Sequence, residues 1–453
     1  MRKTLQIDPL KGSIMRGMLI FAFPISISAL LTMLFSCADT VVIGQFGHEN
    51  AISAIGVSAS VLNFLVGGLT ALASGVTVIA GKYYGQNRHD LIRKLLHSLP
   101  MTALTLGAAL SGLAIGLSGV ILRLLNCPSE IMSDALIYFR IYFLGVPLTV
   151  LSTFLSAMLQ AKGNSYVPFF FQIAAAAVNI ALNLLFVIVF DWNVAGVAIA
   201  TVLSQILLAV AMMIYMTAQK DELKLYLENL TLFHHTKKVF AIGIPSSLEG
   251  VVLNLSGVII ASVINRFDTN VIAGNTIATT MEGLMVITFT GFASASTVYI
   301  SQNYGAGNLE RVKQTYRLTM LTVFVSAEFV GGLLYAFSRK LLLLFTSDSA
   351  VIENARIRML YMCLFFGFCG IMNVISGCER GLGDSKMPLV ISIVCSVAFR
   401  LTWIFTYAAW RGTIEAIYVS YPICWGLCSI LNIFALRRLF KKAVRNEKES
   451  RIS

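Results

Sequence analysis

"YYGQNRHDLIRK" at residues 83–94 comes back 220 residues later as "NYGAGNLERVKQ" at 303–314. Tyr84-Gly85 falls on Tyr304-Gly305, Asp90 on Glu310, and Arg93 on Lys313. The same shift lays Ala73-Ser74 on Ala293-Ser294, and "GNSYVP" (163–168) on "GDSKMP" (383–388). Gly163, Ser165 and Pro168 thereby meet Gly383, Ser385 and Pro388. With one more residue of shift "FAFPIS" meets "AIGIPS", pairing Pro24 with Pro245. Shared apolar composition yields chance matches between apolar residues. It does not yield matched glycines, prolines and charges in several separate stretches, so the chain is an internal duplication.

The duplicated unit is a membrane bundle. Hydrophobic residues make up 57% of the chain and charged residues 12%, with a mean hydropathy of +0.79. A soluble domain is about a quarter charged. The apolar residues come in runs of roughly 20, the length that crosses a bilayer as a helix. Breaks rich in Gly, Pro, Asn and charge divide the chain into runs at 15–42, 50–80, 95–122, 131–158, 168–190, 194–218, 239–265, 270–300, 315–337, 355–378, 387–410 and 414–439. The first run lacks a small-residue cleavage site and is too long for a signal peptide, so it is expected to remain in the mature protein. Six spans per repeat is an even number, so both repeats point the same way. The expected fold is all-α: twelve transmembrane helices in two pseudo-symmetric six-helix bundles, parallel repeats around a central cleft. The expected divisions are an N-terminal lobe (1–218), a charged cytoplasmic linker (219–238), and a C-terminal lobe (239–453) with a basic tail.

Basic residues orient the chain. On the side that carries the termini they are roughly five times as numerous as on the other, where only Arg123, Arg266, Arg339, Lys340 and Arg411 lie, and this bias places the termini in the cytoplasm. The localisation expected is a multi-pass protein of the cytoplasmic (inner) membrane. The +12 net charge is therefore a topology signal and not a nucleic-acid footprint. The tail "RRLFKKAVRNEKESR" is either solvated or set against anionic headgroups. The cysteines (Cys37, Cys127, Cys363, Cys369, Cys378, Cys395, Cys424, Cys428) fall almost entirely inside apolar runs without a CxxC pair or His cluster, as expected of small packing residues. "NYGAGN" lacks the P-loop pattern and follows no strand, so it reads as a tight reversal between helices. His48, His89, His97, His234 and His235 lie in loops or near helix ends. No catalytic constellation and no cofactor motif is visible, and an enzymatic role is not expected.

Function is expected where ionisable residues interrupt the apolar runs, because a charge at a helix centre costs roughly 2.5–3.5 kcal/mol. "FSCADTVVIGQFG" (35–47) carries Asp39 near the outer end of the first span. Counting inward at 1.5 Å per residue, Asp39, Asn183 and Thr201 all lie on the order of 8–12 Å below the outer boundary. Asn179 lies one turn deeper on the face of Asn183. A carboxylate, two amides and a hydroxyl at similar depth offer oxygen ligands to Na⁺ or a protonatable site to H⁺. In the second repeat Glu249, Glu282 and Glu328 fall near the middles of spans 7, 8 and 9, and Arg400 near the middle of span 11. Glu249 or Glu282 paired with Arg400 is one expectation, and titration in exchange with a cationic substrate is another.

These pieces together, "ADTVVIGQFG", "GKYYGQNRHDLIRK", "SQNYGAGNLERVKQ", "GNSYVP", "GLGDSKMP", "VNIALNLLF" and "AGVAIAT", resemble the multidrug and toxic compound extrusion (MATE) transporters along nearly the whole chain. The resemblance implies secondary active efflux of lipophilic, cationic compounds in exchange for H⁺ or Na⁺ by alternating access. It implies a small-molecule substrate and membrane lipids as partners, with no nucleic acid. It also implies a first-lobe cation site at the positions of Asp39, Asn179, Asn183 and Thr201. At one of these, some branches carry an acid where this chain has Asn183, which weakens a Na⁺ site here. The alternative within the same superfamily is a flippase for lipid-linked or polysaccharide precursors, whose cavity is expected to be more basic.

Overall fold

The computed structural model describes residues 6–47, 51–125, 127–233 and 235–452, and for 35–38, 59, 60, 63 and 446–452 it describes the backbone only. His48 and His234, named above, lie outside the described residues, as does the Cys37 side chain. Every regular element among the described residues is helical. Among the described residues eleven helices are long and apolar enough to cross a membrane, and a pair bent by 45°, taken as one span, makes twelve.

The first repeat comprises α1 (Ile14–Phe46), α2 (Ala51–Ala71), α3 (Ala73–Gly85), α4 (His89–Leu124), α5 (Met132–Ala161), α6 (Tyr166–Leu184) and α7 (Asn193–Thr217). The second comprises α8 (Lys237–Ile264), α9 (Thr269–Gly305), α10 (Leu309–Ala336), the short α11 (Ser338–Leu342), and the bent pair α12 (Ser349–Cys363) and α13 (Phe366–Gly381). Its eleventh span is α14 (Lys386–Ser392), α15 (Arg400–Trp403) and α16 (Ala409–Arg411), separated by π-helical Ile393–Phe399 and Ile404–Ala408. The last span is α17 (Ile414–Tyr418) with α18 (Ser420–Ile452).

The duplication is visible residue by residue. α3 and α9 end at Gly85 and Gly305, α4 and α10 begin at His89 and Leu309, and α5 and α13 end at Ala161 and Gly381. The repeated turns have a mechanical cause. Gly163 and Gly383 sit at φ +94° and +96°, a conformation that strains any side chain. Each closes the preceding helix: Gly163 N donates to Gln160 O at 2.8 Å, and Gly383 N to Arg380 O at 2.8 Å. The next residue then caps the following helix. Asn164 Oδ1 accepts from Val167 N at 3.2 Å, and Asp384 Oδ1 from Lys386 N at 2.9 Å. Pro168 and Pro388 fall in the first turn, where a missing N–H costs nothing.

Close helix contacts repeat as well. Ser111 of α4 donates its hydroxyl to Phe143 O of α5 at 2.6 Å. The counterpart pair is Gly331 of α10 and Cys363 O of α12, and a Cβ on Gly331 would lie 2.0 Å from that oxygen. Small residues at these points let two backbones approach. A π-helical segment follows α6 at Leu185–Val189, and one lies at the matching place, Ile404–Ala408, in the second repeat.

The second repeat departs from the first in two ways. α5 runs unbroken through Pro147, whereas its counterpart breaks between α12 and α13, where Glu328 Oε1 accepts from Gly367 N at 2.8 Å. An acid there neutralises the free N–H groups and dipole of the new helix start. The span expected at 355–378 is therefore longer and bent. The run at 387–410, with an extra π segment at Ile393–Phe399, is not one α-helix.

The chain forms two compact units. One holds Gln6, Ile7 and Ile27–Ser247, and the other Asp8–Ser26 and Leu248 onward. The first half of α1 is thus built into the second unit: Ser26 Oγ donates to Ile287 O at 2.9 Å, and Asn303 Nδ2 to Pro9 O at 3.1 Å. Arg311 ties down the preceding turn through Pro9 O, Lys11 O and Gly12 O at 2.9–3.0 Å. Phe139, Phe143, Phe154 and Met158 centre one core, and Met285, Met359, Met362 and Tyr418 the other. The segment between α7 and α8 is strapped to the first unit. Tyr226 N donates to His97 Nε2 at 3.0 Å, and Lys162 holds Glu222 at 3.0 Å and also Asp221. Burial is the largest influence and pushes the Asp221 carboxyl up, but the Lys162 bond and charge and the backbone N–H groups of Leu223 and Asp221 together outweigh it and leave the group below its ordinary range.

Candidate functional site

In the first unit the sequence candidates form one connected cluster. Asp39 lies on α1, Asn179 and Asn183 on α6 and Thr201 on α7. Asn183 Nδ2 donates to Asp39 Oδ1 and, at 3.3 Å, to Asn179 Oδ1. Asn179 Nδ2 donates in turn to Thr201 Oγ1 at 3.4 Å, whose hydroxyl donates to Val197 O at 3.0 Å. Both amide hydrogens of Asn183 are thereby used, while its buried Oδ1 has no partner. Asn183 and Asn179 are buried, and Asp39 is partly so. Tyr138 and Tyr142 of α5 lie within electrostatic reach of Asp39. The cluster offers one carboxylate, an unpartnered amide oxygen and a hydroxyl oxygen, a donor set for a small hard cation or a proton.

In the second unit the acids do not meet Arg400. Glu249 of α8 pairs with Arg380 of α13 at 2.9 Å and accepts from Ser376 Oγ at 2.7 Å. Glu282 of α9 holds Arg358 of α12 through two parallel bonds, Nε to Oε1 at 2.7 Å and Nη2 to Oε2 at 2.9 Å. Arg358 also reaches Asn275, and lies 5.5 Å from the Tyr418 and Tyr421 rings. Glu328 caps α13. Arg400 lies 4.4 Å over the Tyr421 ring and donates to Ser256 Oγ at 3.2 Å. Among the described residues no carboxylate lies within ion-pair distance of it.

Arg358, Arg380 and Glu379 escaped the sequence analysis. Each sits in a helix that outruns its apolar stretch. Asp348 caps α12, accepting from Ala350 N at 2.8 Å, so the helix begins at Ser349 and carries Arg358 well inside it. The cap signal in "TSDSAVIENA" was available to show this. At the other end, Gly383 sets where α13 stops and keeps Glu379 and Arg380 within it. Glu379 is fully buried, with neither carboxyl oxygen hydrogen-bonded.

The fold and these sites define a duplicated multi-pass helical membrane transporter. The MatE family model matches residues 24–185 and 245–404, once in each repeat. The chain belongs to the MatE family, whose members are membrane transporters of small molecules and not enzymes. It is 24% identical over 407 residues to "Probable multidrug resistance protein YpnP" of Bacillus subtilis, covering 89% of this chain and 91% of that one. It is 26% identical over 389 residues to "Probable multidrug resistance protein NorM" of Thermotoga maritima, covering 84% and 82%. Its fold matches a MATE crystal structure in the bent conformation with TM-score 0.90 at 17% identity, over 97% of this chain and 98% of that one.

Proposed function

We propose that this protein expels lipophilic, cationic compounds across the cytoplasmic membrane in exchange for a monovalent cation, H⁺ or Na⁺. Both termini lie in the cytoplasm, access alternates between the two repeats, and the Asp39 cluster takes the coupling ion. The observation that carries this reading is the bond from Asn183 to Asp39, beside an amide oxygen with no partner. An ionised carboxylate makes that bond charge-assisted, worth about 1.5–3 kcal/mol against roughly 1 for a neutral one. An arriving cation neutralises Asp39 and weakens the tie between α1 and α6 by about 1–2 kcal/mol. A bias of that size shifts a two-state equilibrium on the order of tenfold. The multidrug names of the relatives support the substrate class.

Ethidium transport in proteoliposomes with imposed H⁺ or Na⁺ gradients tests the proposal. Dye movement driven by one gradient and not the other names the ion. Dye unmoved by either gradient, with labelled lipid-linked sugar crossing instead, would overturn it in favour of a flippase.

A further inference from the structure

The two repeats place unlike chemistry at the same point. Shifted by 220 residues, Thr201 of the first unit falls on Tyr421. With the one-residue-longer shift that pairs Pro24 with Pro245, Asp39 falls on Ile260. The second unit therefore lacks the carboxylate. In the span equivalent to the one bearing Asn179 and Asn183 it carries Arg400 instead. The π segment Ile393–Phe399, absent from α6, widens the turns just before Arg400. That is equivalent to inserting a residue, which turns Arg400 toward Ser256 of α8 and Tyr421 of α18.

Arg400 is only 6% exposed. Its Nη1 donates to Ser256, but the Ser256 hydroxyl hydrogen is already given to Ser396 O. Its Nε is buried with no acceptor. The Cys424 thiol lies beside it. Two guanidiniums, Arg358 and Arg400, lie against the one Tyr421 ring. Among the described residues Glu282 is the one carboxylate in ion-pair contact with either of them. One positive charge is left uncompensated inside a membrane bundle, where charged groups otherwise find partners.

From this geometry we propose that the Arg400 guanidinium, with Ser256 and Tyr421 beside it, binds an anion of the carboxylate class. Nε–H and one Nη–H point the same way along a guanidinium edge, so a carboxylate approaching the free Nε edge meets two parallel donors. Tyr421 supplies an apolar ring for the body of the ligand. The duplicated transporter then carries a cation-accepting pocket in one repeat and an anion-accepting pocket in the other, which suits zwitterionic cargo as well as cations. Ligand binding is measured without any gradient, so this inference stands or falls apart from the coupling reading.

Equilibrium dialysis of radiolabelled benzoate against the purified full-length protein in detergent is the test, with unlabelled benzoate and chloride as competitors. Wild type is expected to bind saturably below about 10 mM, the weak range a single buried guanidinium–carboxylate pair supports. Arg400→Gln lowers the affinity at least tenfold. Arg400→Lys lowers it several-fold, because lysine keeps the charge but loses the fork. Asp39→Asn leaves it unchanged. No saturable binding by wild type overturns the proposal, as does displacement of bound benzoate by chloride as effectively as by unlabelled benzoate, which would mark a site for any small anion. Unaltered affinity in Arg400→Gln also overturns it, or in Arg400→Lys should the glutamine variant aggregate.

Discussion

Replacing Glu282 by Gln separates a structural strut from an ion-handling acid. The carboxylate gives both oxygens to Arg358, at 2.7 and 2.9 Å, and Arg358 is 5% exposed. Glutamine keeps the size and one acceptor but removes the charge. Arg358 is then left buried beside Arg400, with two cations and no anion at the Tyr421 ring. Removing one member of a buried pair costs about 3–5 kcal/mol. The Glu282 side chain is 15% exposed, which places the expected loss near the lower end, about 3 kcal/mol. Removing both partners together, Glu282→Leu with Arg358→Leu, is expected to recover most of that loss, because no lone charge remains. Unfolding of the four proteins in detergent, read as a double-mutant cycle, gives the coupling energy directly. Suppose instead that Glu282→Gln melts with wild type yet loses ion-driven efflux. Glu282 would then be handling an ion, and the strut argument fails.

Asp39→Asn is expected to cost no more than about 1–2 kcal/mol of stability, since an amide oxygen still accepts from Asn183 without the charge, while gradient-driven dye efflux falls to background. Full efflux would refute its role. Gly331→Ala sets a methyl 2.0 Å from Cys363 O and should cost about 2–3 kcal/mol by overpacking, seen as a lowered melting temperature. An unchanged temperature would mean that α10 and α12 can separate freely. The Lys162→Met variant tests the strap through pH. Asp221 is depressed in the folded protein, so its stabilisation is present above an unfolded value of about 4 and is lost as pH falls through the folded value. The variant should melt below wild type at neutral pH by less than about 1 kcal/mol, as suits a side chain 41% exposed. The gap should close below about pH 4, and a gap that widens with acid contradicts the assignment.

Much of the fold was legible because turns have strict backbone needs. Gly163 and Gly383 had to be glycine for one conformational reason, and their common spacing exposed the repeat before any helix was placed. The Asp39 cluster was legible because depth follows from residue counts along straight helices. The second unit defeated the same arithmetic. A 45° break and two π segments change which way side chains face, and no apolar run records that. Arg358 and Arg380 were not singled out, since the helices bearing them extend past their apolar stretches under the control of Asp348 and Gly383. Arg400 was singled out as a buried charge, but its expected acid partners proved to be engaged by those two arginines.

Because Asp8–Ser26 packs within the second unit, this leading segment is made first and housed last. Its partners, Ile287, Asn303 and Arg311, leave the ribosome on the order of 270 residues later, roughly 15–50 s at ordinary bacterial synthesis rates. Throughout that interval a nascent membrane helix has half its length unhoused. Insertion machinery or lipid must shelter it until about two-thirds of the chain has been made, and translational pausing before residue 287 should prolong its exposure to proteases.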